Sequence, residues 1–210
     1  MSDFLLEIYS EELPSSAQIL GEKQLNQLFL ELFTKKNISY SSIETFSTSR
    51  RISIIVKKIS KNEKDDSIEI RGPSTKADNR ALMGFLKSND INDAKKLIKK
   101  KIKDKEYYFY IKKIKQKKLR DIFNSEIPLI LSSIKWKKSM RWAYNDQKWS
   151  RPIKSILGVL ENKKLVFQFA GIKSNFFTYG NYHYSKKKIK CLNYEFYKKQ
   201  LEKLYVTLKS

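Results

Sequence analysis

All three tryptophans of this 210-residue chain fall between positions 136 and 149. They open the stretch around which the rest of the chain must be arranged, Lys135 to Tyr184. It begins Lys135-Trp136-Lys137-Lys138-Ser139-Met140-Arg141-Trp142, continues through Trp149-Ser150-Arg151-Pro152-Ile153, and closes at Thr178-Tyr179-Gly180-Asn181-Tyr182-His183-Tyr184. Only seven of the 44 basic residues are arginine, and two of the seven, Arg141 and Arg151, lie in this stretch. Where lysine is the default cation, an arginine marks a need for a planar group with several donors. Beside tryptophans it fits two arrangements. One is a buried knot, with guanidinium stacked on indole and bonded to backbone carbonyls. The other is a nucleic-acid contact. The residues alone leave both open.

Hydrophobic residues make up 40% of the chain and charged residues 31%, the balance of a globular protein long enough for one large domain or two small ones. No apolar run reaches the length of about 18 residues that a membrane helix needs, so no membrane span is expected. Met1-Ser2-Asp3-Phe4 lacks the basic-then-apolar order of a secretory signal. Cys191 is the only cysteine and His183 the only histidine, which argues against a disulfide or a Cys/His zinc site and fits a cytoplasmic location. The formal charge of +22 points to a polyanion, most simply RNA or DNA. An AT-rich genome also enriches Lys, Ile, Asn, Tyr and Phe, but it favours Asp and Glu equally, and these number only 22.

Periodicity predicts an α+β fold with a mixed, mostly antiparallel sheet and flanking helices. Asp3–Tyr9 reads as a strand with Phe4, Leu6 and Ile8 on one face. A helix follows to Lys36, with Ile19, Leu20, Leu28, Leu32 and Phe33 recurring at helical spacing and Ser15 or Ser16 as cap. Glu7, Glu11 and Glu12 could be metal ligands or an acid–base pair, but carboxylates near a helix start more simply complement its dipole. Ile43–Ser49 and Arg51–Ile59 read as strands, and the turn between them could offer Arg50 and Arg51 to phosphate or pair one with Glu7. Asn62–Asp66 is a polar loop. Ser67–Arg71 is a strand ending at Gly72-Pro73, and Asp78–Lys87 is a helix with Ala81, Leu82, Phe85 and Leu86 inward. Asp90–Lys105, with seven lysines, reads as a solvated helical or loop face. Tyr107–Ile114 is a strand, and Lys118–Ile134 a helix that Pro128 could kink. Pro152–Leu160 and Leu165–Ile172 form a hairpin, and Phe176–Tyr184 is a further strand with Gly180 as a bulge. Asn193–Leu208 is a helix with Phe196, Leu201, Leu204, Tyr205 and Leu208 apolar. His183 is expected to be structural. The chain thus divides into an α+β region, residues 1–185, with two subdomains split near 75–135, and a basic helical tail, 186–210.

The residues also resemble a known family. Phe4-Leu5-Leu6-Glu7-Ile8 with Glu11-Glu12-Leu13-Pro14 is similar to the opening of the β subunit of bacterial glycyl-tRNA synthetase. Thr48-Ser49-Arg50-Arg51, Arg71-Gly72-Pro73, Met140-Arg141-Trp142, Arg151-Pro152-Ile153, Gly171-Ile172-Lys173-Ser174, and Thr178 with Gly180 follow in the family's order. Five of the seven arginines fall inside these blocks. The resemblance covers nearly the whole chain but only the N-terminal portion of that subunit. It implies part of a heterotetrameric cytoplasmic ligase that charges tRNA with glycine. In the family the α subunit uses ATP and glycine, so no cofactor, metal or catalytic residue is expected here. The β subunit supplies tRNA binding and assembly. The implied partners are the α subunit, the remainder of β, and tRNA.

The family's histidine-aspartate-type helical domain and anticodon-binding domain have no counterpart, so a fragment, a split-gene product or a decayed copy is expected. A free-standing basic RNA-binding module or an inert remnant is the alternative. The resemblance makes Arg50, Arg51, Arg71, Arg141 and Arg151 candidates for tRNA contact or for holding loops, and Trp142, Tyr179 and Tyr182 candidates for stacking on bases. Two places depart from the family pattern. Tyr9-Ser10 stands where Gly-Thr is usual, and Tyr179, Asn181, Tyr182 and His183 stand where Arg, His, Arg and Phe are usual.

Overall fold

The chain is built outward from strand β1 (Ser2–Ser10), which is buried on both faces from Phe4 onward because its sheet is covered on both sides. This computed structural model describes residues 2–61, 67–91, 93–102, 105–113, 118–142, 146–185 and 187–208. After β1 come α1 (Ser15–Lys36), β2 (Ile38–Ser39), β3 (Ser42–Thr48), β4 (Arg51–Lys61), β5 (Ser67–Ser74), α2 (Asn79–Ser88), β6 (Leu97–Ile102) and β7 (Lys105–Lys113). Then follow α3 (Leu119–Ser133), β8 (Met140–Arg141), β9 (Lys148–Trp149), β10 (Ile153–Leu160), β11 (Lys163–Lys164), β12 (Gln168–Phe169), β13 (Ile172–Lys173), β14 (Phe177–Tyr179), β15 (Lys188–Lys190) and α4 (Tyr194–Lys203). Strand pairing is antiparallel throughout these elements, with one isolated parallel bridge between Leu157 and Asn175, so the class is α+β as the periodicity indicates. No helix among the described residues is long and apolar enough to cross a membrane.

Contacts divide the chain into two units, Met1–Asn62 with Lys118–Ser210, and Glu63–Lys117. In the first, the sheet order is β11-β10-β1-β4-β2, with β3 also on β4. Because side chains alternate across a strand, the sheet carries two different cores. On one face Phe4, Leu6 and Ile8 meet Ile52, Ile54 and Val56 of β4 and the apolar stripes of α1 and α3. Phe4 packs 5.4 Å from Phe29 of α1 and 4.5 Å from Phe123 of α3. On the other face Leu5, Ile55, Leu157 and Val159 meet Cys191, Tyr194, Tyr197 and Leu201, the last three from α4. Gly21 lets α1 approach closely: a Cβ there would stand 2.5 Å from Ile52 and 2.7 Å from Trp136. The segment after α3 is tied to the same helix by Gln24, whose side chain both donates to and accepts from the Lys135 backbone.

In the second unit, β7 is the middle of a three-stranded sheet ordered β5-β7-β6, and α2 packs on β5. Strand β5 does not end at Gly72-Pro73. It passes through a register shift between Arg71 and Ser74, where the extra residue of a bulge absorbs the proline's missing donor.

Several expectations change. The lysine-rich 90–105 segment holds a strand, Leu97–Ile102, because its apolar and charged residues pair with β7 rather than wind into a solvated helix. Leu165–Ile172 is not one strand. Leu165 and Phe167 drop into the first core, and β12 and β13 turn back on each other through Gly171 at φ 78°. Phe176–Tyr184 shrinks to β14, whose partner is Lys188–Lys190 from the stretch expected to be tail. α4 ends at Lys203, after which Tyr205 takes a positive φ of 59° and Val206 and Leu208 are buried outside any helix. Ile19 is 69% exposed, and Pro14 rather than Ser15 or Ser16 precedes α1. Ala81 is exposed and α2 has no buried residue. The Asn62–Asp66 loop lies outside the described residues.

Candidate functional site

The polar centre of the first unit starts from Glu7, in the middle of β1. Register places it opposite Ser53 of β4 and Leu157 of β10, on the face covered by β14 and α4. Glu7 is 0% exposed, so its carboxylate must find donors within the protein. Thr178 Oγ1 donates to it at 2.8 Å, and the Tyr197 hydroxyl donates at 2.6 Å. The Tyr197 hydroxyl also lies 3.0 Å from Ser53 Oγ. Arg51, 2% exposed, sets its Nε 3.6 Å from Glu7, an ion-pair distance rather than a hydrogen bond. Arg51 Nη2 donates to the Tyr179 carbonyl at 2.8 Å, and its guanidinium lies over the Tyr9 ring. Burial, followed by the Glu7 charge, holds the Tyr197 phenol well above its ordinary pKa, so it stays a donor.

Arg50, on the same turn, faces the loop before α1. The backbone fixes that approach: Ser10 donates to the Arg50 carbonyl, Leu13 to that of Ser49, and Glu11 to that of Pro152. Arg50 then pairs with Glu11 at 2.9 Å and Glu12 at 3.1 Å while its guanidinium lies 3.9 Å over Tyr182. Lys154 reaches Glu11 at 2.5 Å, and Arg151 Nε donates to the Glu12 carbonyl at 3.2 Å. The hydrogen bond from Lys154, helped by Arg50, lowers the Glu11 carboxyl pKa. A cleft of about 210 Å³ opens beside this turn, lined by residues that include Arg50, Arg51, Asn181 and His183.

Three of the five candidate arginines therefore converge on one place, Arg50, Arg51 and Arg151. Arg71 belongs to the other unit, where its guanidinium lies 3.9 Å over Tyr107. Arg141 is exposed on the β8–β9 hairpin, 3.9 Å from Asp146. Trp142 is half-buried against the first core. Tyr179 stacks on Tyr9 with ring centroids 5.1 Å apart, and Tyr182 is covered on one side by Arg50. Tyr9 and Tyr179, two of the positions that depart from the family pattern, thus touch each other. The carboxylates do not serve the dipole of α1, whose first turn has no acidic residue. They hold arginines. Among the described residues no group of three or more His, Cys, Asp or Glu is placed to bind a metal.

Tyr197 is the functional-looking residue that sequence reasoning passed over. The available signal was the spacing of Tyr194, Tyr197 and Leu201, the buried residues of α4, whereas Phe196 is exposed. Arg120 was missed as well. It donates to the carbonyls of Leu160 and Lys164 and ties α3 to the end of β10.

Comparison with known proteins supplies what the geometry does not. Residues 4–210 match the model of the family described as glycyl-tRNA synthetase beta subunit. Proteins named glycine–tRNA ligase beta subunit are 34% identical over 208 residues in Rickettsia bellii, 33% over 208 in Rickettsia canadensis and 32% over 204 in Rickettsia typhi. These alignments take in 99%, 99% and 96% of this chain, which spans only 31%, 31% and 30% of those relatives.

Proposed function

Because the chain belongs to the glycyl-tRNA synthetase β-subunit family, we propose that it acts as the N-terminal portion of a glycine–tRNA ligase β subunit, supporting tRNA binding and subunit assembly without an active site of its own. In this reading ATP and glycine are used by an α subunit, the tRNA is drawn in by the +22 charge, and the assembly works in the cytoplasm. The observation that carries the non-catalytic reading is the pairing of the carboxylates in the arginine cluster. Glu7 is bonded to Thr178 and Tyr197, Glu11 to Arg50 and Lys154, and Glu12 to Arg50. A general acid or base needs a proton it can exchange with substrate, and these oxygens are committed to holding the sheet, the loop before α1 and the 48–51 turn together. Arg50, Arg51 and Arg151 are then loop-holding residues, while Arg71 and Arg141 remain available for RNA.

The test is co-purification of the tagged chain from cells, followed by tRNA filter binding across a salt series. The reading expects synthetase α subunit or the rest of β in the eluate, and a tRNA affinity that falls steeply with salt. Recovery of RNA without any synthetase component favours a free-standing basic RNA-binding module, which the same net charge supports. A chain that recovers neither is an inert remnant.

A further inference from the structure

In the Glu63–Lys117 unit, register places Arg71 and Ile98 opposite Phe109 from either side, Glu69 opposite Ile111, and Lys100 opposite Tyr107. Paired residues share a face of the sheet, so these side chains form one surface. α2 lies against the other face. Gly72 follows Arg71 in β5 and points the opposite way, and a Cβ on it would meet the Phe85 ring of α2 at 2.9 Å. On the surface without α2, Ile98 is 44% exposed and Ile102 and Ile111 are 39% exposed, an unusual density of large apolar side chains left to water. The Arg71 guanidinium lies 3.9 Å over Tyr107, and the Lys100 ammonium lies 5.6 Å over Phe109 and pairs with Glu69.

We propose that this sheet face binds single-stranded RNA. A guanidinium stacked on a ring offers its second side as a flat cationic surface to a base, and the flanking isoleucines give neighbouring bases an apolar floor. Among the described residues of this face Arg71, Lys100 and Lys105 outnumber the carboxylate of Glu69, so the face is complementary to phosphate as well. A duplex keeps its bases stacked inside and can use only the charge, so the face distinguishes single strands from duplexes. The inference deepens the tRNA-binding reading above and rests on it only for the source of the RNA.

The experiment uses the intact chain and fluorescence anisotropy with a labelled short oligouridine and a labelled short RNA duplex. Oligouridine is expected to bind about tenfold more tightly than duplex, and the Arg71→Gln/Lys100→Gln variant to lose about tenfold in oligouridine affinity with a shallower salt slope. Circular dichroism confirms that the variant is folded, and Lys137→Gln/Lys138→Gln in the other unit is the charge control, expected to leave the single-strand preference intact. Equal affinity for duplex, or an unchanged oligouridine affinity in the Arg71/Lys100 variant, overturns the proposal. If that variant and the parent bind tRNA equally, this face is wrong and the tRNA-binding reading stands. If the parent binds neither tRNA nor oligouridine, both fail. If Ile98→Ser/Ile111→Ser abolishes self-association or capture of a synthetase subunit while RNA affinity holds, the face is a protein-docking surface instead.

Discussion

At the scale of single residues, Glu7 decides how its surroundings are built. A buried carboxylate is tolerated only when its oxygens are met by donors, and here the donors come from Thr178 and Tyr197, with Arg51 completing the charge balance. Tyr197→Phe removes one donor and leaves Glu7 and Ser53 short of a partner. It is expected to lower the unfolding free energy in urea by about 1–3 kcal/mol. Glu7→Gln keeps the shape but leaves the Arg51 guanidinium buried without a counter-charge, and the expected loss is larger, about 3–5 kcal/mol. A Glu7→Gln protein as stable as its parent would show that the pair contributes nothing. The scarcity of arginine among lysines singled out these positions, and the pairing of one of Arg50 and Arg51 with Glu7 was legible in the sequence, with Arg51 the one that makes it. The rest of the cluster was not. Tyr197 lies 190 positions from Glu7, and no local pattern connects them.

At the scale of elements, the outcome turns on which side of a strand or helix is covered. β1 and β4 were readable because Phe4, Leu6 and Ile8 in one, and Ile52, Ile54 and Val56 in the other, recur at every second position. β6 was not, because a two-sided edge strand rich in lysine has no alternation to betray it. α4 was found but its face misread, since Phe196 is more apolar than Tyr197 yet points to solvent. α1 carries the clearest element-scale prediction. Gly21 sits inside a 22-residue helix, where glycine costs roughly 0.5–1 kcal/mol relative to alanine. Propensity alone therefore favours Gly21→Ala. Packing opposes it, because the new Cβ would press on Ile52 and Trp136, and overpacking of a filled core costs about 1–3 kcal/mol. Overpacking outweighs the gain in propensity, so Gly21→Ala is expected to lower the melting temperature. A higher one would mean that α1 can move away from the sheet freely.

At the scale of the whole molecule, the sequence showed an α+β protein and its charge, but not that residues 188–208 build the second face of the central sheet. That stretch is basic and broken by lysines, and it reads as a tail until Cys191, Tyr194, Tyr197 and Leu201 are seen against Leu5, Ile55 and Leu157. Its burial has a consequence for pH. Desolvation, with the Glu7 charge adding to it, pushes the Cys191 thiol from 9.0 up to about 12. Desolvation is also the main cause that raises Tyr194 and Tyr197 above their ordinary 10.0. All three are acids held neutral by the fold. Their contribution is complete below their unfolded pKa values and is lost as pH rises from there toward the folded ones. Glu11 has the opposite sign: its lowered pKa contributes stability above 4.5 that is lost as pH falls through the folded value. Stability is therefore expected to decline from about pH 9 upward, well before the lysines neutralise and relieve the chain's self-repulsion. Urea midpoints measured across pH 7–12 check this, with Cys191→Ala as the discriminating variant. That variant should remove the earliest part of the alkaline loss, and an identical alkaline profile in parent and variant would mean that Cys191 is not buried in the folded chain.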